Sequence, residues 1–317
     1  MSRFIDVHHH LLPRLYIDAV GTGPITDQAP RKAAAALNWS AEGSLAEMDA
    51  NGVESALLSV SAPGIWFGDN AKATRLARQC NDYTAQVVKS HPKRFGMFAS
   101  LALPDVDGSL AEIRHSCDNL RTDGFCLVSS YANRYPGDPA FTQVFDELNR
   151  RRAVVFVHPT MSDSARGLLP GIPASTMEFV LDTTRAVMSL LYSGTLSRCP
   201  DIRFIFSHAG GTVPYIGHRM CRLESQEEFA RLIPEGAMAA LTRLCYVTAL
   251  SANEPALAAL EKFVPASQIL YGSDYPFAVG MMKKTIDGLA AHDFDAGARA
   301  AIEYGNAARL LPRLAPA

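Results

Sequence analysis

Several features that define other classes of protein are missing from this sequence. Acidic and basic side chains nearly balance, giving a formal net charge of −2, so nothing favours a nucleic acid or an anionic membrane as a partner. No apolar run reaches the roughly 18 residues of a transmembrane helix, and no secretory signal is expected. The six cysteines form no Cys-x-x-Cys pair, which predicts reduced core residues of a cytoplasmic protein and not a disulfide framework.

No boundary between domains is visible in the sequence either. A composition of 48% apolar and 20% charged residues is that of an ordinary soluble globular protein. There is no linker, no low-complexity tract and no internal repeat, and a length of 317 residues is compatible with one large α/β domain. We therefore expect a single domain over residues 1–317.

Short apolar runs alternate with longer amphipathic segments along the whole chain. Most of the short runs are continuously apolar, which is typical of parallel strands buried on both faces. Eight such units in series predict a (β/α)8 barrel, the TIM barrel fold. An open doubly wound sheet is the alternative, but no Gly-rich dinucleotide loop follows the first strand. The predicted strands are residues 4–8, 54–61, 95–102, 124–130, 153–158, 203–208, 244–249 and 268–273.

The helical segments leave two stretches of the chain unassigned. A first insertion, residues 12–43, follows strand one and is rich in Gly, Pro and Ala, and a second, residues 160–175, follows strand five. An extra helix near residues 296–311 is expected to end the chain. The other predicted helices are residues 44–51, 70–90, 109–120, 138–151, 176–198, 213–232, 255–263 and 281–292.

Histidine and aspartate residues cluster where the predicted strands end. In a barrel of this kind, chemistry takes place at the carboxyl ends of the strands, and five of the nine histidines fall there. One isolated histidine at a strand end is more often structural, but four such ends that converge on one barrel mouth predict a functional site. The residues are His8, His9 and His10 on strand one, His158 on strand five, His208 on strand six and Asp274 on strand eight.

The first strand ends in Asp6-Val-His-His-His10. Because alternate side chains of a strand share one face, His8 and His10 are expected to project to one side with Asp6 below them. His9 should point to the other side and tolerate replacement better. Asp6 is expected either to orient a ligating imidazole through its second nitrogen or to accept hydrogen bonds from the backbone.

Three imidazoles and one carboxylate could bind a single divalent metal ion. His8, His10, His158 and Asp274 suit Zn²⁺ best, with Mn²⁺ as the alternative, and leave room for water or substrate. His208 is not needed as a ligand and is better placed as an acid/base or hydrogen-bond donor beside the metal.

These motifs resemble the amidohydrolase superfamily. The resemblance rests on His-x-His on strand one, the single histidine on strand five, His208-Ala-Gly-Gly on strand six and Gly272-Ser-Asp-Tyr-Pro on strand eight. The resemblance covers essentially the whole chain. Within the superfamily the sequence is most similar to the branch typified by aminocarboxymuconate-semialdehyde decarboxylase, and within that branch to the 6-methylsalicylate decarboxylases. Residues 182–185, 193–196 and 200–204 are similar to that branch as well.

Departures from the family pattern refine what the resemblance implies. Strand four, residues 124–130, lacks the lysine that bridges two metals in many amidohydrolases, so one metal ion is expected. Arg219 matches an arginine that binds the substrate carboxylate and comes from the neighbouring subunit of a dimer. A second arginine of the family is missing from residues 39–46. A homodimer acting on a substrate with one carboxylate is therefore implied.

The expected reaction is the metal-dependent, non-oxidative decarboxylation of a small o-hydroxyaryl acid such as 6-methylsalicylate, or of a related unsaturated acid. Protonation of the ring carbon before CO₂ leaves avoids an aryl carbanion. A metal ion would fix the carboxylate and phenolate oxygens. Asp274, if it is protonated when the substrate binds, would deliver the proton, and His208 would stabilise the phenolate oxygen or assist the transfer.

Four further residues are candidates for substrate binding, each with a structural alternative. Arg219 could pair with the carboxylate or lie on a helix surface, and Arg185 could line the site or form a structural salt bridge. Phe277 could stack on the aromatic ring or pack in the core. Trp39 is expected in a loop over the barrel mouth, where Trp66 and Phe67 could complete an apolar lid.

Two other functions are compatible with these residues. A mononuclear hydrolase or hydratase of a small lactone, amide or unsaturated acid would use the same ligands, with Asp274 as the base. A non-catalytic, metal-stabilised scaffold would close the site with four ligands, but it would have no need of His208.

Overall fold

Eight parallel strands form the centre of the structure, a computed structural model that describes residues 3–27, 33–277 and 280–315. Each strand pairs in parallel with the next one along the chain, in the order β1 to β8, as expected for a (β/α)8 barrel. Each strand lies within a few residues of its predicted position. The strands are β1 Phe4–His10, β2 Val53–Ser59, β3 Phe95–Ser100, β4 Gly124–Val128, β5 Val154–His158, β6 Arg203–Phe206, β7 Cys245–Val247 and β8 Ile269–Leu270.

Backbone hydrogen bonds join the end of β8 to β1 and so bring the sheet back onto itself. The amide of Val7 donates to the carbonyl of Tyr271 (3.2 Å), and the amide of Asp274 donates to the carbonyl of His8 (2.8 Å). The predicted barrel is therefore confirmed. These bonds place the residues that follow β8 directly beside the end of the first strand.

The interior of the barrel is filled by apolar side chains from every strand. These side chains form one buried cluster, which Leu311 and Leu314 of the C-terminal segment complete. A barrel packed in this way is a core and not a pore, so the side chains that carry chemistry are expected at its carboxyl-terminal mouth. The interior residues include Ile5, Leu57, Phe98, Cys126, Phe156, Ile205, Val247 and Leu270.

Helices cover the outside of the barrel and occupy part of the insertion after β1. The helix predicted at 70–90 has those bounds in the structure, whereas the segments predicted at 176–198 and 213–232 are each broken. Gly194, with a φ of +72°, follows α8 in a left-handed conformation that glycine adopts readily. The helix at 237–242 was not predicted. The helices are α1 Arg14–Val20, α2 Gly23–Thr26, α3 Ala33–Leu37, α4 Ala41–Asn51, α5 Asn70–Ser90, α6 Val106–His115, α7 Thr142–Arg150, α8 Glu178–Tyr192, α9 Thr195–Arg198, α10 Val213–Met220, α11 Glu227–Leu232, α12 Ala237–Thr242, α13 Glu254–Phe263, α14 Met281–Ala291, α15 Ala296–Ala300 and α16 Asn306–Leu310.

The expected insertion after β1 and the expected helical addition at the C-terminal end are both present. The first insertion contains α1, α2 and α3 and leads into α4, although its residues 28–32 lie outside the described part. The C-terminal segment predicted as one helix is α15 and α16 joined by a π-helical turn, Ala301–Gly305. Within the described ranges, no helix has the length and apolar character needed to cross a membrane.

Candidate metal centre and active site

Three histidines and one aspartate converge at the mouth of the barrel. His8 and His10 come from β1, His158 ends β5, and Asp274 follows β8. One potential ligand atom from each of these buried residues lies within 4.8 Å of the others. The Nε2 atoms of His8 and His10 are 3.1 and 3.2 Å from the same oxygen, Oδ1 of Asp274. The structure thus brings together the four residues proposed as metal ligands.

A glycine allows β8 to approach β1 closely enough to form this cluster. A Cβ atom added at Gly272 would lie 2.6 Å from Cβ of His8 and 2.3 Å from Cγ1 of Val247. Both distances are far shorter than a carbon–carbon contact. The glycine that opens the Gly272-Ser-Asp motif is therefore needed to bring Asp274 beside the first strand.

The first strand is irregular between Asp6 and His9, where its register with β2 shifts. Asp6 was predicted on the same side as His8 and His10, and this prediction is wrong because simple alternation fails at the shift. Its carboxylate instead lies 3.1 Å from Nδ1 of His9. It also accepts hydrogen bonds from the backbone N–H groups of His8 and Ser273, each at 3.0 Å. Asp6 therefore holds the backbone and orients His9, not a ligating imidazole.

The hydrogen bonds of the histidines fit a metal ion. Nδ1 of His158 donates to the carbonyl of Pro159 (2.8 Å), and Nδ1 of His10 is 3.0 Å from Oγ of Ser59. When Nδ1 carries the proton, Nε2 presents its lone pair to the site. Nε2 of His8 lies near Oδ1 of Asp274 without forming a hydrogen bond to it, and Nδ1 of His8 has no hydrogen-bond partner among the described residues, although the side chain is fully buried. An unsatisfied buried imidazole beside a carboxylate and two further imidazoles matches the donor set of a divalent ion.

Burial keeps the imidazoles of His8 and His158 neutral, and neighbouring histidines keep the carboxylate of Asp274 ionised. Burial lowers the pKa of His8 to about 4, and it also holds the pKa of His158 well below its usual value, with His10 and His8 adding to the effect. Burial by itself would raise the pKa of Asp274, but His8, His10 and His208 together hold it well below its usual value. Neutral imidazoles and an ionised carboxylate are the forms that bind a metal ion.

His208 lies beside the four-residue cluster and faces the second oxygen of the carboxylate. Its Nε2 atom is 3.9 Å from Oδ2 of Asp274, and its ring centre is 5.0 Å from that of His8. Neither nitrogen of His208 has a hydrogen-bond partner within the described residues. His208 and Asp274 also have left-handed backbones, with φ of +50° and +63°, a conformation that costs about 1–3 kcal/mol and is concentrated at functional sites.

A second buried carboxylate, which the sequence did not single out as functional, supports the ends of β4 and β5. Asp182 of α8 accepts hydrogen bonds from the hydroxyls of Ser129, Ser130 (2.9 Å) and Tyr135 (2.8 Å). Oγ of Ser129 in turn accepts the amide of Thr160 (2.8 Å), two residues beyond His158. A carboxylate on the inner face of an otherwise apolar helix was the available sequence signal.

The four candidates for substrate binding occupy different surroundings. Phe277 is buried, with its ring 5.7 Å from that of His10. Trp39 is half-buried and donates its indole N–H to Oγ of Ser44 (2.9 Å). Arg185 is partly exposed and lies 3.9 Å from Asp182. Arg219 is exposed on α10 and makes no ion pair or hydrogen bond with the part of the chain that the structure describes.

A cavity of about 210 Å³ lies beside the barrel mouth, between the loops that follow β2, β4 and β5. Trp66 and Phe67, the expected lid residues, line it together with Ser130 and Thr160. Arg166 also lines this cavity and was missed, because an arginine in a loop of irregular sequence carries no periodic signal. Trp39 does not line this cavity.

A closed (β/α)8 barrel with three histidines and one aspartate at its carboxyl end defines a class of metal-binding barrel enzymes. The chain belongs to the amidohydrolase family, whose model matches residues 5–313. It is 34% identical to the 6-methylsalicylic acid decarboxylase of Penicillium expansum, over 98% of this chain and 96% of that protein. It is 33% identical to the decarboxylase yanB of Aspergillus niger, over 98% and 87% of the two chains. A solved structure described as amidohydrolase II superimposes with a TM-score of 0.86, with 26% identity over 98% of this chain and 99% of that one.

Proposed function

We propose that the protein is a metal-dependent, non-oxidative decarboxylase of a small o-hydroxyaryl acid such as 6-methylsalicylate. The observation that carries this proposal is the cluster of His8, His10, His158 and Asp274, with His208 facing the free carboxylate oxygen. A purely structural metal site is normally closed by its four ligands and would not place a further unpaired histidine beside them. The names of relatives that align along nearly the whole chain support the decarboxylase among the possible reactions.

The residues of the site divide the work of the reaction. His8, His10, His158 and Asp274 would hold one divalent ion, which when bound would supply a positive charge that fixes and polarises the substrate oxygens. A proton is added to the ring carbon that bears the carboxylate, the carbon–carbon bond to that carboxylate breaks, and its electron pair returns to the ring as CO₂ leaves. The balance is one aryl carboxylate and one proton in, and one arene and one CO₂ out.

The proton is the part of the reaction that the site must arrange. Asp274 is ionised in the free protein because its histidine neighbours lower its pKa, so it has to receive the proton from the ortho hydroxyl of the bound acid before passing it to the ring carbon. His208, 3.9 Å from Oδ2 of Asp274, is placed to hydrogen-bond the phenolate oxygen that results, which takes one proton from water before the product leaves. This assignment requires a hydroxyl ortho to the carboxylate of the substrate.

The contacts with the rest of the substrate follow from the same proposal. Phe277, with its ring edge-on to His10, would form one wall for the aromatic ring. Arg219 would bind the carboxylate of the substrate in the neighbouring subunit of a homodimer, since it is exposed and has no partner among the described residues. Trp39 and Arg185 would contribute to substrate binding from the rim of the site.

We further propose Zn²⁺ as the metal ion, because imidazole-rich sites with one carboxylate suit it, with Mn²⁺ as the alternative. A cytoplasmic location is proposed on the basis of the cysteines, which are all free in the structure.

An assay of CO₂ release tests the proposal directly. The purified protein, loaded with Zn²⁺ or with Mn²⁺, is given 6-methylsalicylate, salicylate, 2,6-dihydroxybenzoate or 5-carboxyvanillate, while CO₂ and the ultraviolet spectrum are followed. In deuterated water, one deuteron should appear on the carbon that carried the carboxylate. Hydrolysis or hydration of a lactone, amide or unsaturated acid, without CO₂ or ring deuterium from any of the four acids, would contradict the proposal.

A further inference from the structure

A chain of buried hydrogen bonds runs from the first strand to the insertion that follows it. The indole N–H of Trp39 donates to Oγ of Ser44 (2.9 Å), which lies 3.2 Å from Nε2 of His9. Nδ1 of His9 lies 3.1 Å from Oδ2 of Asp6. The side chains of Asp6, His9 and Ser44 are completely buried. We refer to these four residues as the Trp39–Asp6 relay.

The two ends of the relay define its direction. The indole of Trp39 can only donate, and the carboxylate of Asp6, when ionised, can only accept. Both ends are satisfied when the hydroxyl of Ser44 donates to Nε2 of His9 and Nδ1–H of His9 donates to Asp6. Losing any one donor leaves a buried polar atom without its partner and weakens the next hydrogen bond of the relay.

The acceptor at the end of the relay holds two segments that carry metal ligands. Asp6 accepts the backbone N–H of His8, a ligand, and that of Ser273, the residue before the ligand Asp274, each at 3.0 Å. It also accepts the hydroxyl of Ser273 at 2.5 Å. One carboxylate thus fixes the spacing between the end of β1 and the residues after β8.

His9 reinforces the same junction through its ring. It stacks on Tyr275, the residue after Asp274, with ring centres 4.8 Å apart and an interplanar angle of 30°. A fully buried side chain with both nitrogens hydrogen-bonded and one face stacked is not expected to tolerate replacement, contrary to the expectation from strand alternation.

We propose that His9 is a positioning residue of the metal centre and that Ser44 and Trp39 set its orientation from the insertion. The inference rests on the proposed metal site. It implies that residues which touch neither metal nor substrate change metal affinity, because they hold the carboxylate that spaces His8 and Asp274. It also gives Trp39 a role other than direct contact with the substrate.

Metal affinity, measured by competition with a chromophoric chelator, tests this proposal without relying on turnover. Ser44→Ala removes the central hydroxyl and should weaken metal binding by about tenfold, the lower end of what outer partners of metal ligands contribute. Ser109→Ala is the control, because Ser109 is equally buried and its replacement removes one hydrogen bond, to the carbonyl of Asp105 (2.7 Å), whereas Ser44→Ala removes two. Both variants should lower the unfolding midpoint, and only Ser44→Ala should change metal affinity.

Two replacements of His9 separate positioning from packing. His9→Asn can still donate to Asp6 and should keep most of the metal affinity, whereas His9→Phe keeps the ring and its stacking but has no N–H and should lose about 10- to 100-fold. Trp39→Phe removes the indole N–H but leaves the contact between Ser44 and His9 in place, so it should weaken metal binding by less than Ser44→Ala. The electron paramagnetic resonance spectrum of bound Mn²⁺ should broaden in Ser44→Ala if the ligand geometry loosens.

The possible outcomes are distinct. Wild-type metal affinity in both Ser44→Ala and His9→Phe, with an unfolding midpoint lowered as in Ser109→Ala, would leave the relay a structural feature only and overturn the proposal. Weakened metal binding in these variants, with no CO₂ from any o-hydroxyaryl acid, would support the relay and reject the decarboxylase. If His158→Ala binds metal like the wild type, the metal site is wrong and this inference falls with it.

Discussion

His10 and Asp274 are 264 positions apart in the chain, yet Nε2 of the first lies 3.2 Å from Oδ1 of the second. This contact spans the seam at which β1 and the residues after β8 complete the barrel. A metal ion bound by both residues would therefore bind across the last junction of the fold. Metal binding and barrel stability should be coupled, because a ligand that binds only the folded chain stabilises it.

Removal of the metal should lower the melting temperature of the protein. A free metal concentration 100 times Kd contributes about 2.7 kcal/mol to the free energy of unfolding, so chelation should produce a clear shift in a thermal scan. His158→Ala should bind metal at least tenfold more weakly, so at the same metal concentration chelator should change its free energy of unfolding by at most about half as much as in the wild type. One metal ion per chain is expected by elemental analysis, and two per chain would contradict the mononuclear site.

Replacement of His208 should separate turnover from metal binding. His208→Asn removes the imidazole assigned to the phenolate oxygen while leaving the four proposed ligands in place, so kcat should fall about 10²- to 10³-fold with metal content unchanged. The exposed His218 on α10 is a control, and His218→Asn should have wild-type activity. Full activity in His208→Asn would show that the role assigned to His208 is wrong.

Asp182 should contribute to stability through the hydroxyls that it binds. Asp182→Ala leaves Ser129, Ser130 and Tyr135 without their common acceptor, and we expect the free energy of unfolding to fall by about 2–3 kcal/mol. Urea denaturation measures this change. Asp163→Ala, at a side chain that is 59% exposed, should change stability by less than about 0.5 kcal/mol, and an equal loss in both variants would contradict the assigned role.

The stability of the metal-free protein should depend on pH through the buried histidines. The pKa of His8 is about 4 in the folded chain and 6.5, the ordinary value of histidine, in the unfolded chain. Between these two pH values only the unfolded chain binds the proton. Stability should fall as the pH decreases from about 6.5 to about 4, by roughly 3 kcal/mol from His8. The pKa of His158 is also lowered in the folded chain, so this residue adds to the same pH dependence. Urea midpoints measured across this range should change less in His8→Asn, and a wild-type slope in that variant would contradict the assignment.

Mixed dimers test whether Arg219 acts in the neighbouring subunit. Arg219→Ala should raise KM or abolish activity, and His208→Ala should abolish it in its own subunit. If the arginine is supplied by the partner, an equal mixture of the two inactive variants regains about a quarter of wild-type activity, because half of the dimers are mixed and each has one complete site. Arg222→Ala, at a neighbouring position, is the control for loss of charge. No recovery on mixing would contradict action from the partner.

The candidate metal ligands could be predicted from the sequence because each is marked by a short local pattern. A run of apolar residues predicts a buried strand, the carboxyl ends of barrel strands face one mouth, and few histidines were available to be placed there by chance. The bounds of α5 were equally clear, since its amphipathic pattern is uninterrupted over Asn70–Ser90. The segment predicted at 213–232 retained a helical pattern although it is interrupted at Cys221–Ser225, which periodicity alone does not reveal.

The sequence by itself determined that eight strands alternate with helices and that four strand ends carry the histidines and the aspartate. Hydrophobic periodicity and residue type are properties of short segments and do not depend on the rest of the chain. Only the tertiary structure decided that Asp6 turns towards His9 and accepts the amide of Ser273, 267 positions away. The register shift in β1 and the closure of the barrel select these partners, because a hydrogen bond depends on distance and direction, which exist only once the strands are in place.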